Sequence, residues 1–349
     1  MGKVRQACAV MRLLLLKVNQ LGDNIVFLPV VQWLERALPD CEITVATSPV
    51  AAPIYKKCTQ RLKVIEFPTK KFNRAWRNPF SMLHNHRIIR RLKADACLVA
   101  NDQGNVAHLL AWSSGARLRV GPRHDHLPLS RLLNERVALD TTELVAVQNW
   151  HLLRVLLKAL KVDCAEMPQH PPAPDMRAMR ALHPAEKPFV LIHPGASREY
   201  QRWFADRYVA LANLLSAQIE IRYVLQNDAA ESGLAKSVIG LKTPSLEDFT
   251  ALMSQAALFI GNNSGPMHLA SAFGVPGIIF SGPSSHSWEP AWHVAKFMLL
   301  RDPTLACQPC DKATGPVNLC RNLESPLACM KQWSVETVHG LALQKLGLK

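Results

Sequence analysis

The sequence predicts an α/β protein with two Rossmann-like domains, and three observations carry this prediction. The chain has 349 residues, about twice the ~150 residues of a typical domain. Short apolar runs alternate with longer stretches of helical periodicity, which is the pattern of parallel strands joined by helices. This pattern stops once, in the proline-rich segment 168–188, and then begins again.

The first predicted domain covers 1–167 and opens with a strand buried on both faces. Residues 12–17 (RLLLLK) form this strand, a turn at Gly22-Asp23 follows, and an amphipathic helix covers about 24–37. The remaining predicted elements of this domain are strands at 43–46, 64–67, 96–100 and 117–120 and a long helix at 142–160.

Segment 168–188 is the predicted linker, because its six prolines cannot continue a helix or a central strand. The second domain covers 189–333, and a final helix, 334–349, is a candidate for packing back on the first domain. Ser245 and Asp248 form a capping-box pattern at the start of one helix. The predicted elements of the second domain are strands at 189–193, 221–225, 257–260 and 277–281 and helices at 207–216, 246–253 and 265–273.

Composition excludes several classes of protein. Hydrophobic residues make up 48% of the chain and charged residues 19%, so a disordered chain is excluded. No apolar run approaches the ~18 residues of a membrane-spanning helix. Arg12 interrupts the N-terminal apolar stretch and no small-residue cleavage site follows, which argues against a secretion signal. We therefore expect a cytoplasmic protein.

The formal charge of +14 indicates an anionic partner: a phosphorylated substrate, a nucleic acid or a membrane surface. Most of it lies in the segment 56–93, the basic window. This segment contains twelve Lys and Arg and one acidic residue, a local net charge of +11. A solvated face is one interpretation. Phe72, Trp76 and Phe80 lie among these charges, however, and this mixture favours a binding surface.

Neither domain contains a G-x-G-x-x-G or G-x-x-x-x-G-K-[ST] loop, which disfavours dehydrogenases and NTPases. In the first domain, Asp23 follows Gly22 where the first strand gives way to a helix. An aspartate there either caps the helix or acts as a general base at the carboxyl edge of the sheet, where open α/β sheets bind ligands.

A comparable strand–helix turn, 261–268 (GNNSGPMH), lies in the second domain. Pro266 suits a first helical turn, and Asn263 or Ser264 can cap it. The free N–H groups and the positive end of the helix dipole favour a diphosphate within reach of His268. A capped helix with a core histidine is the alternative of comparable weight.

Four of the nine cysteines cluster with the spacing C-x2-C-x9-C-x8-C. Four thiolates at these positions can form a tetrahedral structural site for zinc or iron, and free thiols in a loop are the alternative. In a reducing cytoplasm a metal is favoured over disulfides. The predicted ligands are Cys307, Cys310, Cys320 and Cys329.

Three segments together resemble glycosyltransferase family 9, the ADP-heptose–lipopolysaccharide heptosyltransferases. They are LLLLKVNQLGDNIVFLPVVQWL, HPGAS…QRWF and FIGNNSGPMHLASAFGVPGIIFSGPSS, and the resemblance extends over nearly the whole chain. It implies the GT-B architecture, in which two Rossmann-like domains face a central cleft. The first domain would bind the acceptor and the second the nucleotide-sugar donor.

The resemblance also implies roles for particular residues. Asp23 matches the catalytic base, and Lys17 matches a basic residue on the acceptor side. Glu231 resembles the acid that holds the adenosine end of the donor. The predicted acceptor-binding residues are Lys17, Asn19, Gln20, Arg74, Arg77, Arg90 and Arg91. The predicted donor-binding residues are Gly22, Ser197, Arg198, Gln201, Arg202, Glu231, Asn263, Ser264, Gly265 and His268.

Two positions depart from the family pattern. Gln201 stands where the family has a lysine before Arg-Trp, so Arg198 or Arg202 would have to supply the cation that pairs with phosphate. Asn263 stands where the family commonly has an aspartate, which removes a charge near the sugar or ribose.

These features predict an inverting glycosyltransferase that moves heptose or a related sugar from an ADP-activated donor to a hydroxyl of a lipopolysaccharide core or other surface glycan. The chemical step would need no metal or other cofactor. The expected partners are the donor, an anionic glycolipid or glycan, and the inner membrane surface as a peripheral contact. Alternatives are a protein heptosyltransferase, a nucleotide-sugar 2-epimerase of similar fold and, last, a nucleic-acid-binding protein with a metal finger.

Overall fold

A computed structural model describes residues 10–68, 71, 74, 77–101, 103–226, 229–242, 245–310, 320 and 322–349. The chain divides into two compact units: Met1–Thr141 with Val145–Asp175, and Thr142–Leu144 with Met176–Lys349. The boundary after Asp175 lies inside the proline-rich segment 168–188.

The first unit contains a six-stranded parallel sheet. The strands are β1 (Arg12–Lys17), β2 (Glu42–Thr47), β3 (Lys63–Glu66), β4 (Ala96–Val99), β5 (Leu118–Pro122) and β6 (Glu135–Val137), in the order β3-β2-β1-β4-β5-β6. The helices are α1 (Leu21–Ala37), α2 (Ala52–Cys58), α3 (Pro79–Arg91), α4 (Asn105–Ser113) and α5 (Val145–Ala159). β1 lies in the middle of the sheet, which explains its unbroken apolar sequence.

The second unit contains another six-stranded parallel sheet. Its strands are β7 (Phe189–His193), β8 (Glu220–Val224), β9 (Val238–Leu241), β10 (Leu258–Asn262), β11 (Gly277–Phe280) and β12 (Phe297–Leu300), in the order β12-β11-β10-β7-β8-β9. The helices are α6 (Ala205–Leu215), α7 (Leu246–Met253), α8 (Gly265–Phe273), α9 (Ala328–Lys331) and α10 (Val335–Leu346). The predicted α/β class with two Rossmann-like units is confirmed.

The start of α1 differs from the prediction. The helix begins at Leu21, so Gly22 and Asp23 lie in its first turn rather than in a turn before it. A capping box causes the earlier start, because Gln20 and Asp23 bond each other's backbone groups.

The C-terminal helix α10 packs within the second unit. Val338 and Ala342 are fully buried in the same core as Leu215 of α6 and Tyr223 of β8. Packing of this helix on the first domain stays a prediction. Within the described residues, no helix combines the length and apolarity needed to span a membrane.

The two adjacent leucines at the end of α6 test the packing of this core. Leu215 is fully buried and Leu214 is 45% exposed. We expect Leu215→Ala to lower the free energy of unfolding of the second unit by about 2–5 kcal/mol, because it leaves a cavity. Leu214→Ala, the matched control, should cost less than about 1 kcal/mol. Urea titration followed by circular dichroism measures both, and equal losses would contradict the assigned core.

Candidate active site

The catalytic candidates of the first unit lie where β1 ends and α1 begins. Lys17 is the last residue of β1, and its fully buried ammonium group donates to the carbonyl of Asn101 at 3.4 Å. Gln103 fixes the next residues, since its Oε1 accepts from Val18 N at 3.0 Å and its Nε2 donates to Asn19 Oδ1 at 2.9 Å. The predicted residues Lys17 and Asn19 therefore share one hydrogen-bonded loop.

Asp23 is the third residue of α1 and is half-buried. Its Oδ2 accepts from the backbone N–H of Gln20 at 3.1 Å, so the capping role considered from the sequence is observed. Its charge also reaches Tyr55: burial raises the pKa of this phenol well above its ordinary value, and the neighbouring Asp23 carboxylate raises the pKa further. Asp23 thus caps the helix and lies close to a buried hydroxyl group.

Asn24 is a residue of this site that the sequence interpretation missed. Its Oδ1 accepts from Thr47 at 2.9 Å and Tyr55 at 2.8 Å, and its Nδ2 donates to the carbonyls of Gln20 at 2.8 Å and Asn19 at 3.2 Å. The side chain is fully buried. Asn24 therefore ties the loop before Asp23 to β2 and α2.

The four predicted acceptor-binding arginines of the basic window lie at opposite ends of α3. Arg74 and Arg77 precede the helix and Arg90 and Arg91 lie in its last turn, all four exposed. Thirteen helical residues span roughly 20 Å, so the arginines form two separate pairs. Of the interleaved aromatic residues, Phe80 is 83% exposed, whereas Phe72 and Trp76 lie outside the described residues.

In the second unit, Asn262 joins the ends of two neighbouring strands. This buried residue ends β10, and its Nδ2 donates to the carbonyl of Pro194, just beyond β7, at 2.7 Å. Its Oδ1 accepts from the backbone of Trp203 at 2.9 Å and from the hydroxyl of Tyr208 at 3.0 Å. The sequence pattern predicts a site role for the following residue, Asn263, but not for Asn262.

The predicted diphosphate turn lies beside this junction. Ser264 is the N-cap residue of α8, but its side chain makes no capping bond and donates to the carbonyl of Asn262 at 3.3 Å. Asn263 does not cap the helix either, because its Nδ2 donates to Ser281 Oγ at 2.9 Å. The prediction that one of these side chains caps α8 is wrong. The N-terminal turn of α8, which begins at Gly265, is thus left without a side-chain cap.

His268 lies one turn into α8 and is buried, with its ring centroid 6.0 Å from that of Trp288. Gly22, the other glycine assigned to the donor, lies buried in α1 of the first unit beside Asp23. Gly22 therefore lies in the first turn of α1 and not at the second-unit turn.

The turn after β7 holds two guanidinium groups. Arg202 donates through Nε and Nη2 to the carbonyl of Ala196, at 3.0 and 2.8 Å, and Arg198 Nη1 donates to the hydroxyl of Tyr200 at 2.7 Å. Ser197 is exposed and Gln201 is buried. Both cations considered as replacements for the missing lysine are therefore fixed at this turn.

A hydrogen bond to Gln226 connects Glu231 to the same turn. Its Oε1 accepts from the backbone N–H of Gln226 at 2.6 Å. The side-chain oxygen of Gln226 lies close to Gly195, 2.9 Å from the position that a Cβ would take there. The predicted donor residues of the second unit thus gather at the ends of β10, β7 and β8, which are neighbours in the sheet.

The four clustered cysteines are free thiols near one another. Burial, together with the neighbouring Cys310, Cys320 and Cys307, raises the pKa of Cys329 to about 12. The backbone N–H of Leu327 donates to Cys320 Sγ at 3.2 Å. In the part of the chain that is described, no three Cys, His, Asp or Glu side chains are arranged to hold a metal ion. The metal site stays a prediction.

Comparisons with known proteins identify the family of the chain. The family described as "Glycosyltransferase family 9 (heptosyltransferase)" matches residues 82–319. Lipopolysaccharide heptosyltransferase 3 of Escherichia coli is 26% identical over 290 residues, which cover 77% of this chain and 83% of that protein.

Solved structures share the fold. E. coli heptosyltransferase WaaC with ADP has a TM-score of 0.69 at 18% identity, covering 96% of this chain and 100% of WaaC. WaaC with ADP-2-deoxy-2-fluoro heptose gives a TM-score of 0.70 at 18% identity, covering 96% and 99%. The chain therefore belongs to glycosyltransferase family 9, has the GT-B fold of that family, and is a glycosyltransferase.

His193 is the last residue of β7 and can be used to test burial at the carboxyl edge of the second sheet. Burial lowers its pKa from 6.5 to about 4. Between these values the unfolded chain binds more protons, so the free energy of unfolding should fall as the pH is lowered from 6.5 towards 4. NMR should show a His193 ring that stays neutral at pH 5. Titration of this ring near pH 6.5 would contradict the burial.

The same burial should appear in the pH dependence of stability. We expect His193→Gln to weaken the loss of stability between pH 6.5 and 4, measured by urea titration. His151→Gln changes an exposed histidine and is the matched control. The control should leave the pH dependence close to that of the unaltered chain.

Proposed function

We propose that this glycosyltransferase moves a heptose from an ADP-linked donor to a hydroxyl of a lipopolysaccharide core glycan, with inversion at the anomeric carbon. The observation that carries the proposal is the position of Asp23, a carboxylate held at the carboxyl end of β1. The donor and the acceptor class are supported by the relatives, a lipopolysaccharide heptosyltransferase and WaaC bound to ADP and to a fluorinated ADP-heptose.

In the proposed step, Asp23 takes the proton of the acceptor hydroxyl while the hydroxyl oxygen attacks the anomeric carbon. The bond between that carbon and the diphosphate oxygen breaks, and its electron pair stays on the leaving ADP. A single base suffices for such a displacement. An ionised Asp23 accepts hydrogen bonds but cannot donate them. Its Oδ2 accepts a hydrogen bond in the capping box, which fixes the orientation of the carboxylate.

The leaving diphosphate needs positive potential in the second unit. The uncapped N-terminus of α8 provides N–H donors and the positive end of the helix dipole. Arg198 and Arg202 supply two fixed cations at the neighbouring turn. These groups can stabilise the leaving charge, so the proposal assigns no metal to the chemical step.

The basic window and the cysteines have roles outside the chemical step. Arg74 and Arg77 at one end of α3, and Arg90 and Arg91 at the other, would attract an anionic glycolipid at the inner membrane surface. Free thiols throughout the described chain suit a cytoplasmic enzyme. A structural zinc or iron held by Cys307, Cys310, Cys320 and Cys329 would brace the segment after β12.

Replacement of Asp23 tests the base. Asp23→Asn keeps an acceptor for the capping box but cannot take a proton, so kcat for transfer should fall by about 100-fold or more. Affinity for ADP, measured by calorimetry, should stay within about twofold because the predicted donor residues other than Gly22 lie in the second unit. Asp40→Asn, at an exposed aspartate, is the control. Retained transfer by Asp23→Asn would overturn the assignment.

The identity of the donor nucleotide can be tested by thermal stabilisation. ADP and ADP-linked sugars should raise the melting temperature at concentrations where UDP and UDP-linked sugars do not, because ligands that bind only the folded chain stabilise it. Glu231→Gln should reduce the shift, since Glu231 is the proposed contact of the adenosine end. Stabilisation by UDP-linked but not ADP-linked sugars would contradict the donor.

A further inference from the structure

Three polar residues follow three neighbouring strands of the second sheet. Asn263 comes directly after β10, Ser281 after β11 and Arg301 after β12. These strands are adjacent, and their last residues lie opposite one another in the register of the sheet. We refer to Asn263, Ser281 and Arg301 as the polar row. The row lies at the carboxyl edge of the sheet, where α8 also begins.

The hydroxyl group of Ser281 connects the other two members of the row. Ser281 is fully buried, and its Oγ accepts from Asn263 Nδ2 at 2.9 Å and from Arg301 Nη2 at 3.3 Å. Asn263 precedes Ser264, the N-cap residue of α8, and its backbone N–H donates to the carbonyl of Phe280 at 3.0 Å. The path by which the chain enters α8 is therefore fixed by β11 and by the Ser281 hydroxyl.

Arg301 determines how this hydroxyl is oriented. A serine oxygen has two lone pairs and one proton, and here both N–H donors point at the oxygen, so the proton is directed away from Asn263. The backbone of the turn is fixed independently, because the carbonyl of Pro283 accepts from the backbone of Cys310 and that of Ser281 from the backbone of Ser284. Rotation of the hydroxyl is thus the movement that Arg301 prevents.

The same guanidinium nitrogen holds a second segment near α8. Arg301 Nη2 donates to Glu289 Oε1 at 2.9 Å, and the two side chains are only 9% and 19% exposed. His286 Nδ1 lies 3.0 Å from the same carboxylate oxygen. Glu289 follows Trp288, whose ring centroid lies 6.0 Å from that of His268 in α8. The ion pair therefore keeps Trp288 beside the helix turn that contains His268.

The hydrogen bonding of Arg301 is incomplete. Its Nε and Nη1 are buried without a hydrogen-bond partner among the residues that the structure describes. A buried donor that lacks a partner destabilises the folded state, and such exceptions are typical of functional sites. The position of Arg301 is therefore better explained by the groups that its Nη2 orients than by a contribution to stability.

We propose that Arg301 is a positioning residue for the turn that begins α8. It acts on Asn263 through the Ser281 hydroxyl, and it acts on Trp288 through Glu289. Both connections fix the N-terminal turn of α8 in the geometry that holds the donor diphosphate. This inference rests on the proposed function, since that function places the diphosphate at this turn.

Replacement of Arg301 tests the proposal. Arg301→Gln should weaken the binding of ADP, measured by calorimetry, by about tenfold, because small displacements of binding groups are costly. Arg301→Lys keeps a charged group with three donors, so its affinity should stay within about threefold of that of the unaltered enzyme. Arg222→Gln is the matched control. Arg222 of β8 also pairs with a partly buried glutamate, Glu220, at 2.8 Å, but it lies away from the carboxyl edge.

A cycle of double variants separates positioning from support of the fold. Ser281→Ala should also weaken ADP binding, and its combination with Arg301→Gln should lose less affinity than the product of the two single losses, because the residues act in one network. Arg301→Gln combined with Glu231→Gln, at a separate turn, should give the product. Ser281→Ala removes one hydroxyl and keeps the test available where Arg301→Gln does not fold.

The outcomes distinguish this inference from the proposed function. A lowered free energy of unfolding with unchanged ADP affinity, in Arg301→Gln as in the control, would overturn the inference and leave the proposed function intact. Independent effects of Arg301→Gln and Ser281→Ala would overturn the connection through Ser281. No ADP binding by the unaltered enzyme would contradict the proposed donor and this inference together. The expected ADP affinities without any heptose transfer would contradict only the proposed function.

Discussion

Two buried asparagines hold the turns on which both sites depend, one at the end of the central strand β10 and one in the first turn of α1. Asn262 connects the end of β10 to the turn after β7, and Asn24 connects the loop before α1 to β2 and α2. A buried amide left without partners costs several kcal/mol, so each amide accepts only the turn geometry that satisfies it. Asp23 and the N-terminus of α8 are therefore held by the core of each sheet.

In the proposed mechanism, the two units stabilise different charges. In the first unit, exposed basic residues lie along the basic window, while one carboxylate lies at the end of β1. In the second unit, the positive potential comes from a helix N-terminus and two guanidinium groups fixed by short hydrogen bonds. Such an arrangement suits an anionic acceptor in the first unit and a diphosphate in the second.

The sequence predicts the central elements of the fold well because their signals are local. β1, β7, α7 and α8 have the predicted bounds, since buried parallel strands are continuously apolar and α7 begins at a capping box. The strands β6, β9 and β12 were missed because they are short edge or near-edge strands. Their side chains are partly exposed and carry no strong periodicity.

The candidate site was predictable only in part. Asp23 and the turn 263–268 could be found because they stand at strand–helix junctions. Asn24 and Asn262 could not, because an amide in an apolar stretch gives no sign of which distant backbone groups it will satisfy.

The central claim is that Asp23 drives one direct displacement at the anomeric carbon. The anomeric configuration of the product tests it most directly. NMR of the glycan formed from an ADP-linked heptose of known configuration should show the opposite configuration at the new linkage. A product that retains the configuration of the donor would require a second displacement or a different mechanism, and would contradict the account.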